Sequence, residues 1–125
     1  MLMGVARVLK SADASTRIVA LEPDTSPVIS AGPAGTHHVE GLGVGFVAPL
    51  LDPELDDDVR AVSERAARET CRRLAAEEGL LVGTSSGLNI AAAVDPGMQL
   101  GPDKAVVTVA CDTGLKYMAG DLFAV

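Results

Sequence analysis

The stretch Leu80-Leu81-Val82-Gly83-Thr84-Ser85-Ser86-Gly87-Leu88 sets the frame for the whole chain. A short apolar run, 80–82, reads as a buried strand. It breaks into a tight turn of small residues at Gly83–Gly87 and then into a helix over roughly 88–94. Pro96 and Gly97 are expected to stop that helix. A strand feeding a helix through a small-residue turn is the unit of an α/β fold. Upstream, Ser63 is a good N-cap, because its hydroxyl can accept from the open amides of a first helical turn. The helix after it carries Ala67, Cys71, Leu74 and Ala75 on one face and ends at Gly79.

The same alternation continues in both directions. Leu2, Val5, Ala6 and Leu9 fall at i, i+3, i+4 and i+7, one apolar helix face. Residues 17–22 (RIVALE), closed by Pro23, read as a strand, and Val59–Val62 as a second. Residues 23–45 hold three Pro and five Gly and read as loop, with a short strand near Phe46–Val47. Residues 105–110 (AVVTVA) form the cleanest strand pattern, and a last helix is expected from Gly114 through Tyr117 and Met118. The expected fold is therefore α/β, a partial three-layer arrangement in which an open, mainly parallel sheet is flanked by helices, within one segment over residues 1–125.

Composition excludes several classes. The 125 residues are 48% hydrophobic but only 2% aromatic, so the core must be built from Ala, Val, Leu and Ile. A net charge of −7 makes the chain a poor candidate for nucleic acid, and it lacks a basic stripe for anionic lipid. Much of the acid lies in one run, Asp52 to Asp58, which reads as a solvated loop. Two cysteines, Cys71 and Cys111, are too few for a disulfide framework and fit no zinc spacing. That usage suits a reducing, cytoplasmic compartment. No run of about 18 apolar residues exists to span a membrane. Cys71 is expected in the core of its helix. Cys111 ends a strand beside the candidate site, which reads either as a reactive thiol or, the expected outcome, as another buried one.

Three segments can carry chemistry. The turn Gly83–Gly87 opens a helix, where unpaired amides and partial positive charge meet two serine hydroxyls. It reads either as a site for an anion or ring nitrogen or as a serine N-cap with no ligand. Asp112-Thr113-Gly114 follows the strand at 105–111, and ligands of open parallel sheets sit at the carboxyl ends of strands. Asp112 is thus either a site residue or an Asx turn capping the next helix. Gly41-Leu42-Gly43-Val44-Gly45 is not a dinucleotide fingerprint, because its spacing is G-x-G-x-G and Phe46-Val47-Ala48-Pro49 follows in place of a helix. His37 and His38 read as loop histidines without a third metal ligand.

Taken in order, these segments resemble the cysteine synthase and cystathionine β-synthase family of fold type II pyridoxal-phosphate enzymes. GVARVLK (4–10) resembles the helix after that family's phosphate loop. RIVALEPDTSPV (17–28) resembles its next strand and turn, and HHVEGLGVGFVAP (37–49) its H-x-I-x-G-I-G-x-G-F-x-P segment. ETCRRLAAEEGLLVGTSSG (69–87) is similar to E-x-A-R-x-L-A-x-x-E-G-x-x-x-G-I-S-S-G, and CDTGLKYMAGDLF (111–123) to the closing D-S-G-x-R-Y-x-x-x-x-L-F.

The resemblance implies pyridoxal 5'-phosphate as cofactor and β-replacement on serine or an O-activated serine, the chemistry of L-cysteine biosynthesis. It implies that Ser85 hydrogen-bonds the pyridine nitrogen, with Thr84 and Ser86 its neighbours in the turn. Gly41, Gly43 and Gly45 would flank the cofactor and substrate amine, and Asp112 and Thr113 would lie beside the ring edge. The family's Schiff-base lysine and glycine-rich phosphate loop have no counterpart, since Lys10, Lys104 and Lys116 are the only lysines and none matches. The chain reads as beginning just after the phosphate site. Ala110-Cys111 stands where the family has L-P, and Leu115-Lys116 where it has E-R. The expectation is a C-terminal portion that acts with an N-terminal partner fragment or as a homodimer on a small amino-acid substrate. The alternatives are a non-catalytic remnant or interaction subunit, a serine/threonine dehydratase-like fragment, and a small anion-binding domain.

Overall fold

The computed structural model describes residues 1–124. Helix α1 spans Leu2–Ala12, strand β1 Val19–Pro23, strand β2 Asp58–Val62, helix α2 Glu64–Glu77 and helix α3 Thr84–Leu100. A 3-10 turn, Gly114–Tyr117, closes the ordered elements. β1 and β2 pair in parallel, Val19 opposite Asp58 and Pro23 opposite Val62, so the α/β reading holds. The ladder continues past both ends, where Asp57 N–H donates to the Ile18 carbonyl (2.9 Å) and Asp24 N–H to that of Val62 (3.0 Å). No helix among the described residues is long and apolar enough to cross a membrane.

Local signals set the two packed helices. The Ser63 hydroxyl accepts from Ala66 N–H at 3.1 Å, as a first-turn cap should. Gly79, at φ +69, follows the last turn of α2, and Leu80 N–H returns to the Leu74 carbonyl at 2.9 Å. α2 buries Ala67 and Cys71 against α3. The crossing is close, because a Cβ at Gly87 would collide with the Ala67 carbonyl and the Cys71 sulfur. Two small cores result. One joins Val39, Ala67 and Leu88 to Leu21, Leu42 and Val62. The other joins Cys71, Val82 and Leu122 to Leu74, Tyr117 and Phe123.

Several expectations are corrected. α3 starts at Thr84, inside the supposed turn, and runs through Pro96 to Leu100. The helix around Pro96 is open to water, which can solvate the carbonyl that proline leaves unpaired. Residues 105–110 form no strand. They are exposed and lack a neighbouring strand among the described residues, and a strand exists only as one of a pair. Residues 80–82 contribute a single antiparallel bridge, Val82 to Thr113, instead of a full strand. Phe46 and Val47 lie in exposed loop. The last helix is a single 3-10 turn that ends before Met118.

The acid run is not simply a solvated loop. Asp57 accepts from Lys10 Nζ and Ile18 N–H, both at 2.7 Å, and Asp56 from Ala20 N–H at 3.3 Å. These carboxylates tie α1 and β1 to the start of β2. α1 in turn buries Met3 and Ala6, while Leu2, Val5 and Leu9 of the expected apolar face remain exposed.

Candidate functional site

Three segments distant in sequence meet at the N-terminus of α3. Gly83 N–H donates to the Asp112 carbonyl (3.2 Å) and Gly114 N–H to that of Leu81 (2.9 Å), which ties the closing segment to the residues entering the helix. Glu40 N–H donates to Thr84 Oγ1 at 3.4 Å, bringing the glycine loop alongside. The Glu40 carboxylate also pairs with Lys116 Nζ. Lys116 in turn lies over the Tyr117 ring, 5.5 Å from its centroid.

Within this junction the hydroxyls are sorted. Thr84 and Ser86 are buried, at 2% and 0% exposure. Ser86 Oγ accepts from Cys111 N–H (2.8 Å) and donates to Asp112 Oδ1 (3.3 Å). Tyr117 donates its phenol to Asp112 Oδ2 at 2.7 Å. Burial and the adjoining Asp112 carboxylate raise the Tyr117 phenol well above its ordinary 10, so it stays an O–H donor. Ser85 differs. It is half-buried, and its hydroxyl is not a buried orphan but takes part in none of the side-chain hydrogen bonds of the junction.

The glycine loop is held by His37. Its Nε2 donates to the Gly43 carbonyl (2.9 Å), while its Nδ1 accepts from Val39 N–H (3.3 Å). Gly43 sits at φ +58, and a Cβ there would collide with the His37 ring. Gly41 (φ +80) and Gly45 (φ +82) flank it in the same left-handed region. His38 instead points its backbone N–H at Glu64 (2.8 Å). No group of metal-binding side chains occurs among the described residues.

Residues 1–112 match the profile of the family described as "Pyridoxal-phosphate dependent enzyme". The chain belongs to that family. A cysteine synthase of Staphylococcus aureus (strain Mu50) is 43% identical over 123 residues, which is 98% of this chain and 40% of that protein. A probable cysteine synthase of Bacillus subtilis is 40% identical over 97% of this chain and 39% of its own length. The O-acetylserine sulfhydrylase isoform 3 of Entamoeba histolytica superposes with a TM-score of 0.93 at 30% identity, covering 99% of this chain and 37% of that one. The chain thus spans about 40% of the length of the curated relatives it matches.

The geometry suits the ring side of the pyridoxal-phosphate cofactor on which this family depends. Among the hydroxyls of the junction, Thr84, Ser86 and Tyr117 are engaged within the protein, and Ser85 is the one that takes part in none of these bonds. Lys116 does not suit a Schiff base. Its hydrogen bond to Glu40, then that carboxylate's charge, raise its pKa and hold it as an ammonium, whereas attack on an aldehyde needs the free amine. Lys10 is occupied by Asp57.

Of the residues expected in the site, the structure brings together Thr84, Ser85, Ser86, Asp112 and the loop of Gly41 and Gly43. Sequence reasoning gave no role to Glu40, Lys116 or Tyr117. Tyr117 had a readable signal, since it is the aromatic of the closing motif five residues after Asp112. Glu40 and Lys116 are 76 residues apart, and nothing local announces their pairing. Cys111, expected to be buried, is exposed, because the 105–110 segment before it is uncovered.

Proposed function

We propose that this chain is the C-terminal portion of a pyridoxal-phosphate-dependent cysteine synthase. The reaction is β-replacement, in which serine or an O-activated serine such as O-acetylserine loses its β-substituent and a thiol or sulfide takes its place. The bound cofactor supplies the electron sink for that exchange. The observation that carries the reading is the half-buried Ser85 hydroxyl, the one outside the side-chain hydrogen bonds where the S-S-G turn, the glycine loop and the closing segment converge.

In this reading the Ser85 O–H donates to the ring nitrogen. A neutral donor does not force a proton onto that nitrogen, which suits β-replacement. Thr84 and Ser86 hold the turn. The loop of Gly41, Gly43 and Gly45 lets its backbone come close to substrate. The lysine and the phosphate-binding loop come from a separate N-terminal portion, whether on the same polypeptide, on a partner fragment or within a homodimer. A cytoplasmic location is part of this reading, and two free thiols are in keeping with it.

The test is turnover of O-acetylserine and sulfide to cysteine by the chain alone and by the chain joined to an N-terminal portion carrying the lysine and phosphate loop. Activity is expected only in the combination, with Ser85→Ala reducing it at least tenfold. Activity indifferent to Ser85→Ala, or its absence from every combination, overturns the reading.

A further inference from the structure

Residues 38–40 are fastened to the two packed helices. His38 N–H donates to Glu64 of α2 at 2.8 Å, Val39 is 2% exposed in the core with Ala67 and Leu88, and Glu40 N–H donates to Thr84 Oγ1 of α3 at 3.4 Å. The chain then turns through Gly41 and Gly43, both at positive φ. Beyond them Val44, Phe46 and Val47 are 61%, 60% and 51% exposed, so the tip of the loop has little packing to hold it. The half-buried His37 ring reaches across this turn. Its Nε2 meets the Gly43 carbonyl at 2.9 Å and its Nδ1 the Val39 N–H at 3.3 Å. A carbonyl only accepts and an amide N–H only donates, so the two bonds together call for the tautomer with its hydrogen on Nε2. Gly43 makes the space for the ring, because a Cβ there would collide with it and press on Pro23 at the end of β1.

We propose that His37 is a positioning residue for the glycine loop. Its imidazole ties the Gly43 carbonyl to Val39, and through Val39 to the core between α2 and α3. The backbone on either side of Gly43 is thereby held in place before substrate arrives. A loop already ordered does not have to be ordered on binding, and that saving appears as affinity. His37 acts through Gly43 and touches no ligand itself. The proposal rests on the reading that this loop comes close to an amino-acid substrate.

The experiment uses the chain joined to the N-terminal portion of the turnover assay, and its first readout needs neither cofactor nor substrate. Chymotrypsin cuts after aromatic residues, and Phe46 is the only one in residues 1–116 of this chain. The rate at which the fragment ending at Phe46 appears, read by mass, therefore reports how freely the loop opens. His37→Leu fills the space of the ring without a hydrogen bond. It is expected to speed that cut about three- to tenfold, as the loss of one neutral hydrogen bond implies. His37→Gln keeps an N–H donor for Gly43 and is expected to cut at close to the wild-type rate. Tryptic cuts within α2 should not change in either variant, whereas a general loss of structure would speed them as well. With O-acetylserine as substrate, His37→Leu is expected to raise KM severalfold with kcat nearly unchanged, and His37→Gln to bring KM back. A wild-type cutting rate in His37→Leu, or a His37→Gln rate as fast as that of leucine, overturns the proposal. So does a loosened loop in an active enzyme whose KM has not moved. Absence of turnover from every combination counts against the functional reading alone, and the cutting rates still decide whether His37 holds the loop.

Discussion

At the scale of single residues, Gly87 and Cys71 carry the sharpest expectations. The α2–α3 crossing leaves no space for a methyl group at Gly87, whose neighbours are a backbone carbonyl and a buried sulfur. Gly87→Ala should destabilise the chain by about 2 kcal/mol or more, since overpacking a close contact shifts backbone. Urea unfolding of the wild type and of Gly87→Ala checks this. Cys71 is buried and donates its S–H to the Gly83 carbonyl at 3.2 Å. Burial raises its pKa above the ordinary 9.0, so it stays a protonated, shielded thiol. Cys111 is exposed. Iodoacetamide at mildly alkaline pH should therefore modify Cys111 alone, and Cys71 only after denaturant is added. Peptide mass mapping separates the two outcomes, and early labelling of Cys71 would mean that the α2–α3 contact opens readily.

At the scale of elements, legibility followed how local the cause was. Ser63 capping α2 and Gly79 ending it are matters of neighbouring residues, and both could be read directly. The strand at 105–110 could not, because its apolar alternation states a preference while a partner strand decides the outcome. The same holds for α1. Its stripe of Leu2, Val5 and Leu9 is real in the sequence, yet the helix is fastened through the acid run. Asp57 links Lys10 of α1 to Ile18 beside β1, and the Lys10 hydrogen bond, then the Ile18 amide, lower its pKa below the ordinary 3.8. A carboxylate whose folded pKa is depressed contributes stability that is fully present above its unfolded value and is lost as pH falls through the folded value. Asp57→Asn should accordingly melt at a lower temperature than the wild type near neutral pH. The gap should close as pH drops below 3.8. Thermal melts of both proteins across that range test it, and a gap independent of pH would show that the Lys10 contact is not the cause.

At the scale of the whole molecule, the apolar surface is the dominant fact. Val107 is 87% exposed, Val106 and Val109 40% each, and Leu50 84%, in addition to Val5, Val8 and Leu9 of α1. The 105–110 segment carries no charge, and its side-chain hydrogen bonds fall on the Val109 carbonyl, from Asn89 Nδ2 at 2.9 Å and from Cys111 Sγ at 3.9 Å. An exposed, uncharged apolar segment with its backbone unpaired is open to pairing with another strand. In the Entamoeba histolytica relative the matching region is 37% of a longer chain, which leaves ample polypeptide for the rest of a sheet. The 125-residue chain by itself should therefore associate with concentration, and its unfolding should be broad. Val107→Lys places a charge at the most exposed position of the segment, and edge charges oppose strand addition. Sedimentation velocity over a concentration series should show the wild type shifting to larger species and Val107→Lys remaining smaller at the same concentration. A wild-type monomer with a sharp transition independent of concentration would mean that residues 1–124 bury enough surface to stand alone. The exposed 105–110 segment would then need a different explanation.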